Sequence, residues 1–372
     1  MQYNLKFAAA AQSEALIHPD APRAAHDSAP QLTQYGIRNT HRPSPANTGG
    51  HRRTSAASVL LLVTLFLALR LPATAAPFTP WPLTGNTIIH DPSTIIRQGT
   101  NYYLFGTGPG LRTKSSPDLT NWFVTGPVFQ HFPVWTTQYV PDFHGTAWAP
   151  DIIRVHDQYY LYYAVSTWGK QVSAIGLATS PSLEPGAAQW TDRGPVITST
   201  NQSAYNTIDP SVMLDTDGKL WMSFGSYWQG IFLTELNPET GLRVSSNSPI
   251  YHLAWNHSIE ASCITRHANY YYLFVNWGQC CQGTNSTYEV RLGRAEKITG
   301  PYLDRDGKSL ADGGGSPFLQ TSGRYIGPGH IGIVIGETNV FSYHYYDAQT
   351  AGRPHLAIAK LAWSNNWPVP TN

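Results

Sequence analysis

The sequence predicts an all-β protein, a five-bladed β-propeller, and three observations carry that prediction. Five hairpin-like units recur along the chain. Their strands are rich in Tyr, Phe and Trp, which make up part of a 12% aromatic content. After residue 77 no stretch of about 12 or more residues keeps a helical period, which speaks against an α/β barrel. Charged residues are only 13%, against about 25% in ordinary soluble domains. The 32 Gly and 28 Pro supply dense turn chemistry. A net charge of +1 directs the chain to neither nucleic acid nor an anionic membrane, so a neutral ligand is expected.

The first 57 residues are rich in Ala, Ser, His, Pro, Gln and Asn and lack apolar periodicity, so they read as a disordered or misassigned N-terminal extension. Residues 58–75 read as a secretory signal peptide. Basic His51-Arg52-Arg53 precedes an apolar run over Val59–Leu69, and Ala73-Thr74-Ala75 forms the cleavage signal. The run falls short of the ~20 residues of a membrane span. Residues 76–372 are then the secreted, extracellular propeller domain, with no membrane association after cleavage and a monomer expected. Sequons at Asn201, Asn256 and Asn285 agree with export, the last expected to stay unmodified. Three cysteines cannot form a framework, and pairing of Cys263 with either Cys280 or Cys281 is expected.

Each blade begins with a short apolar strand: STIIR, PDIIRV, PSVMLD, SCITR and GIVIG in chain order. A turn follows, as at Gln98-Gly99-Thr100 or Asp217-Gly218, and then an aromatic strand. These strands are NYYLFGTG, QYYLYYAVS, KLWMSFGSYW, NYYYLFVNW and NVFSYHYYD. In the first two blades, SSPDLTNWFVTGPVF and TSPSLEPGAAQWTDRGPVI repeat Ser-Pro-x-Leu, Trp and Gly-Pro-Val, as third and outer strands would.

Counting back a constant interval from each aromatic strand gives Asp91, Trp148, Asp209, Glu260 and His330. In a propeller the innermost strands line the central channel, so these five positions are expected to converge there. Three carboxylates sharing one pocket spread one another's pKa values. Glycoside hydrolysis needs such a set: one carboxyl protonates the leaving oxygen while another activates water. Trp148, Tyr227 and Trp228 offer faces for sugar stacking. Taken singly, each residue has a plainer reading, since Asp-Pro is a common turn and a lone Trp or His is usually packing. The shared register favours chemistry. Asp142, Asp215 and Asp217 are weaker candidates, and Asp151 reads as a structural acceptor.

The motifs HDPS, WAPDI, NTIDPSV, FGSYWQGI, IEAS, CCQGTNSTYEVRLGRAEKITGPYLDRDG and GPGHIGI together resemble glycoside hydrolase family 43, in particular its endo-1,5-α-L-arabinanases. The resemblance runs over about residues 84–363. It implies an inverting enzyme on linear arabinan, with Asp91 as general base, Glu260 as general acid and Asp209 as modulator of the Glu260 pKa. It also implies sugar contacts from Asn206 and Ser226-Tyr227-Trp228. His330 would stand by a channel ion, calcium, reached largely through waters, and no organic cofactor is implied. Ser262 replaces the proline that usually follows the Glu-Ala pair. The rival readings are an exo-acting arabinofuranosidase or β-xylosidase and a non-catalytic carbohydrate-binding propeller.

Overall fold

Five antiparallel sheets of four main strands succeed one another along the chain in a computed structural model that describes residues 78–186 and 188–372. The extension and the signal peptide fall outside the described residues. Blade 1 comprises Ile96–Gln98, Asn101–Gly106, Arg112–Ser116 and Asn121–Pro127; blade 2 comprises Thr146–Val155, Gln158–Val165, Ser173–Ser180 and Thr191–Ser199. Blade 3 runs from Ser211–Leu214 to Ile250–Ala254, blade 4 from Glu260–His267 to Ser316–Leu319, and blade 5 from Tyr325–Val334 to Trp367–Thr371. The single α-helix among the described residues is Trp135–Tyr139. The repeats therefore mark the blades as expected, and the Gly-Pro-Val segments do lie on outer strands.

The aromatic second strands supply the cores. Alternate residues face the two neighbouring sheets, so Tyr162 and Tyr160 pack toward blade 3 while Tyr163 and Leu161 pack with Phe105 of blade 1. Phe274 and Tyr272 join Phe341 and Tyr343 between blades 4 and 5. The ring closes where blade 5 meets blade 1. There Gly332 lies so near Thr94 that a Cβ would come within 2.7 Å of its Cα, and the Ser342 hydroxyl donates to the Ser93 carbonyl at 3.1 Å. The segment before blade 1 latches the same seam, with Trp81 N–H donating to Ile358 O at 2.9 Å and Leu356 N–H to Thr87 O at 2.7 Å.

Each innermost strand carries, within it or in the few residues leading into it, a residue in the left-handed region, and none of the five is glycine. They are Asp91 (φ 49°), Ala149 (φ 42°), Asp209 (φ 55°), Ala261 (φ 52°) and His330 (φ 56°). Such backbone is costly outside glycine and collects at functional sites. In blades 2 and 4 this residue is one beyond the sequence-counted position. Trp148 and Glu260 precede the turn instead of occupying it, and bulges follow at Trp148/Asp151 and Glu260/Cys263.

Candidate active site

The channel mouth opens into a cleft of about 640 Å³. All nine site residues expected from sequence line it: Asp91, Trp148, Asn206, Asp209, Ser226, Tyr227, Trp228, Glu260 and His330. Asp142, Asp151, Asp215 and Asp217 do not. Asp215 accepts from Arg266 and Tyr271 beside a hairpin turn, a structural role.

Asp91 is held on three sides. Thr107 donates to its Oδ2 at 2.6 Å, and His90 Nδ1 lies 2.7 Å from the same oxygen. The Asp91 N–H donates to His344 Nδ1 at 3.1 Å. Burial would raise its pKa, but His90, by charge and hydrogen bond, and the fields of His330 and His344 outweigh it and drive it far below the usual carboxylate range. Burial lowers the His90 pKa, yet the pairing with Asp91 leaves it raised overall.

Glu260 is 8% exposed and accepts two hydroxyl hydrogen bonds, from Ser226 at 2.7 Å and Tyr288 at 2.8 Å. Its pKa is raised. Burial is the main cause and the Asp91 charge adds to it, against the two hydroxyl donors. Among the described residues Asp209 accepts only from the Ala261 N–H, at 3.1 Å, and so ties down the backbone immediately after Glu260. Burial and the charges of Glu260 and Asp91 push its pKa well up. Two neighbouring buried acids in this setting titrate as a pair.

The cleft walls are aromatic. Gly225 and Gly230 bracket the FGSYWQG loop, and a Cβ on either would fall within 2.3 or 2.1 Å of a carbonyl oxygen. Between them Tyr227 (φ 52°) and Trp228 (φ 39°) are both left-handed, which lifts Trp228 into solvent at 42% exposure. Burial and Glu260 push the Tyr227 phenol up to about 12. Opposite in sequence, Trp148 meets Trp168 edge-on at 6.5 Å, and Trp168 is 72% exposed. Ser226 and Asn206 are buried, and each is anchored to a neighbour: Ser226 to Glu260, and Asn206 by the Ser173 hydroxyl at 2.7 Å.

Sequence reasoning missed His90, Thr107 and Tyr288. His90 and Tyr288 were visible in HDPS and STYEV, but no pattern says that they bond to the acids. The expected bridge from Cys263 is not formed. Cys263 is buried in the core between blades 4 and 5, whereas Cys280 and Cys281 line the cleft and are bonded to each other.

Candidate metal donors divide clearly. His90, Asp91 and His344 converge, but Nδ1 of each histidine is already taken by Asp91. The sulfurs beside His90 are locked in the disulfide. His330 is buried and neutral in tendency, because burial lowers its pKa, and its Nδ1 faces Asp91 Oδ1 at 3.6 Å. Among the described residues its ring makes no hydrogen bond to protein, so it fits as one imidazole ligand of an ion otherwise clothed in water.

The chain matches the model of the family described as glycosyl hydrolases family 43 over residues 84–368. It is 42% identical to the extracellular endo-α-(1→5)-L-arabinanase 1 of Bacillus subtilis, covering 76% of this chain and 88% of that protein. It is 38% identical to the extracellular exo-α-(1→5)-L-arabinofuranosidase of Cellvibrio japonicus, covering 75% and 85%. Among solved structures, the Cellvibrio cellulosa α-L-arabinanase complexed with arabinohexaose superposes with a TM-score of 0.73. That pair is 36% identical and covers 77% of this chain and 96% of that one.

Proposed function

Because this chain belongs to glycosyl hydrolase family 43, we propose that it hydrolyses internal α-1,5-L-arabinofuranosidic bonds of linear arabinan. The observation that carries the catalytic assignment is electrostatic: in one cleft, Asp91 is pushed toward the ionised form and Glu260 toward the protonated form. That is the division of labour an acid–base glycosidase requires. Asp91 takes a proton from water as that water attacks the anomeric carbon. Glu260 gives its proton to the departing glycosidic oxygen, and the configuration inverts. Asp209 modulates Glu260 and fixes it through the Ala261 amide. Trp148, Tyr227 and Trp228 receive sugar faces, with Asn206 and Ser226 behind them. His330 would hold a calcium ion, which would contribute positive charge at the channel centre. The word extracellular in the names of both relatives, together with the leader at 58–75, supports export.

The test is the product pattern from debranched arabinan. A ladder of oligosaccharides with falling viscosity is expected, with the first product showing the inverted anomer by NMR. Arabinose released alone would identify an exo-enzyme, the activity named for the Cellvibrio japonicus relative.

The pH profile of kcat/KM is expected to be bell-shaped. Protonating Asp91 removes the base, so the acid limb lies below the ordinary aspartate value of 3.8. Deprotonating Glu260 removes the acid, so the basic limb lies above 4.5. Tyr288→Phe deletes a donor that favours ionised Glu260, and the basic limb should move to higher pH. A limb that stays in place would remove Tyr288 from this role.

A further inference from the structure

The acid–base reading makes no use of the Gln279–Gln282 segment, which forms one wall of the cleft and carries the Cys280–Cys281 disulfide. Its stem is pinned independently of the sulfurs. Gln279 N–H donates to Thr287 Oγ1 at 3.0 Å, Thr287 N–H donates back to Gln279 O at 3.0 Å, and Gln282 N–H donates to Ser286 Oγ at 3.0 Å. The disulfide closes a small ring on the peptide between the two cysteines. Cys281 is held at φ 66°, a region that a side-chain-bearing residue rarely adopts.

That geometry aims the Cys281 N–H at a chain of contacts reaching Asp91. The amide donates to Tyr346 Oη at 2.6 Å; Tyr346 Oη lies 2.7 Å from His90 Nε2; His90 Nδ1 lies 2.7 Å from Asp91 Oδ2. Cys281 Sγ is itself 3.7 Å from His90 Nε2, and the His90 ring stacks on His344 with centroids 4.1 Å apart. Three blades thus meet on one imidazole, and the disulfide governs the single backbone amide in the chain.

We propose that the Cys280–Cys281 disulfide is a positioning element: by fixing the Cys281 amide on Tyr346 it holds His90 against Asp91, and full turnover requires the oxidised pair. The proposal rests on Asp91 being the base. A dithiol would reverse the state with two electrons. Its thiolate attacks one cysteine sulfur and breaks the S–S bond, and its second thiol then displaces the protein sulfur from the mixed disulfide. The products are two protein thiols and a cyclic disulfide, with the reagent's protons left on Cys280 and Cys281. The pinned stem keeps the loop in place, so the change is confined to the Cys281 peptide, now free to leave the left-handed region.

The experiment compares wild-type protein before and after dithiothreitol, with thiols counted under denaturing conditions to confirm that the cleft pair has opened. On linear arabinan, kcat should fall on the order of 10-fold with KM nearly unchanged, as expected for a slightly misplaced catalytic group, and recover on reoxidation. In Tyr346→Phe the link is already cut, so reduction should change kcat little. The Cys280→Ser, Cys281→Ser double variant should match the reduced wild type. An unchanged kcat, a rise in KM alone (a wall that merely touches sugar), or an equal effect in Tyr346→Phe would overturn the proposal. An active Asp91→Ala protein would instead remove the base assignment beneath it, so the two failures are told apart.

Discussion

Glu260→Ala and Asp91→Ala should each lower kcat on arabinan by about 10²–10⁴-fold, the usual worth of a positioned acid or base. The two losses differ in kind, and a second substrate separates them. An aryl arabinofuranoside with a nitrophenolate leaving group departs without a proton. Glu260→Ala should therefore recover much of its rate on that substrate, while Asp91→Ala should not, because attack by water still lacks a base. Equal recovery in both variants would exclude the assignment. Glu260 is buried, Asp91 is partly buried and both are hydrogen-bonded, so removal of either leaves polar neighbours unpartnered: Ser226 and Tyr288 around Glu260, Thr107 and His90 around Asp91. A melting curve for each variant separates lost chemistry from lost fold.

The blades were legible because a propeller writes its architecture into a period. The turn, the aromatic strand and the acid recur at similar spacing, and alternation along each strand assigns faces. The meeting of Asp91, Trp148, Asp209, Glu260 and His330 in one cleft follows from that register, whereas Asn206 and Ser226-Tyr227-Trp228 are legible as sugar contacts through the family motifs. Other features were not legible, for reasons of three-dimensional geometry. In blades 2 and 4 Trp148 and Glu260 stand one residue ahead of the left-handed turn, a local offset that counting back from the aromatic strand cannot detect. The partners of Asp91 come from neighbouring residues and from blade 5 across the closure, as His344 shows. Adjacent cysteines bridge poorly in ordinary backbone, which is why the sequence points to Cys263 as the partner instead. The left-handed Cys281, within a stem bracketed by Gly278 (φ 86°) and Gly283 (φ 54°), supplies an uncommon setting.

The largest stability effect is expected away from the cleft, at Asp151 in the WAPD motif. This carboxylate is 4% exposed and lies at the start of blade 2, where it joins three blades. Its Oδ1 accepts the Thr94 N–H of blade 1 at 2.9 Å and its Oδ2 accepts the Val212 N–H of blade 3 at 2.9 Å. Burial raises its pKa, and the backbone donors work against that, so the site holds a carboxyl whose solvation is supplied by two amides. Asp151→Ala leaves both N–H groups buried without an acceptor, at about 1–3 kcal/mol each, for a loss of roughly 2–6 kcal/mol. Asp151→Asn keeps one acceptor but turns an NH₂ toward the other amide, so it should remain well below wild type. The exposed Asp142, which has no comparable partners among the described residues, should tolerate Ala within about 0.5 kcal/mol. Denaturant unfolding measures all three. Because Asp151 does not line the cleft, whatever protein stays folded should keep its kcat. A variant that loses turnover while keeping its midpoint would show that this aspartate reaches the chemistry after all, through the innermost strands it braces.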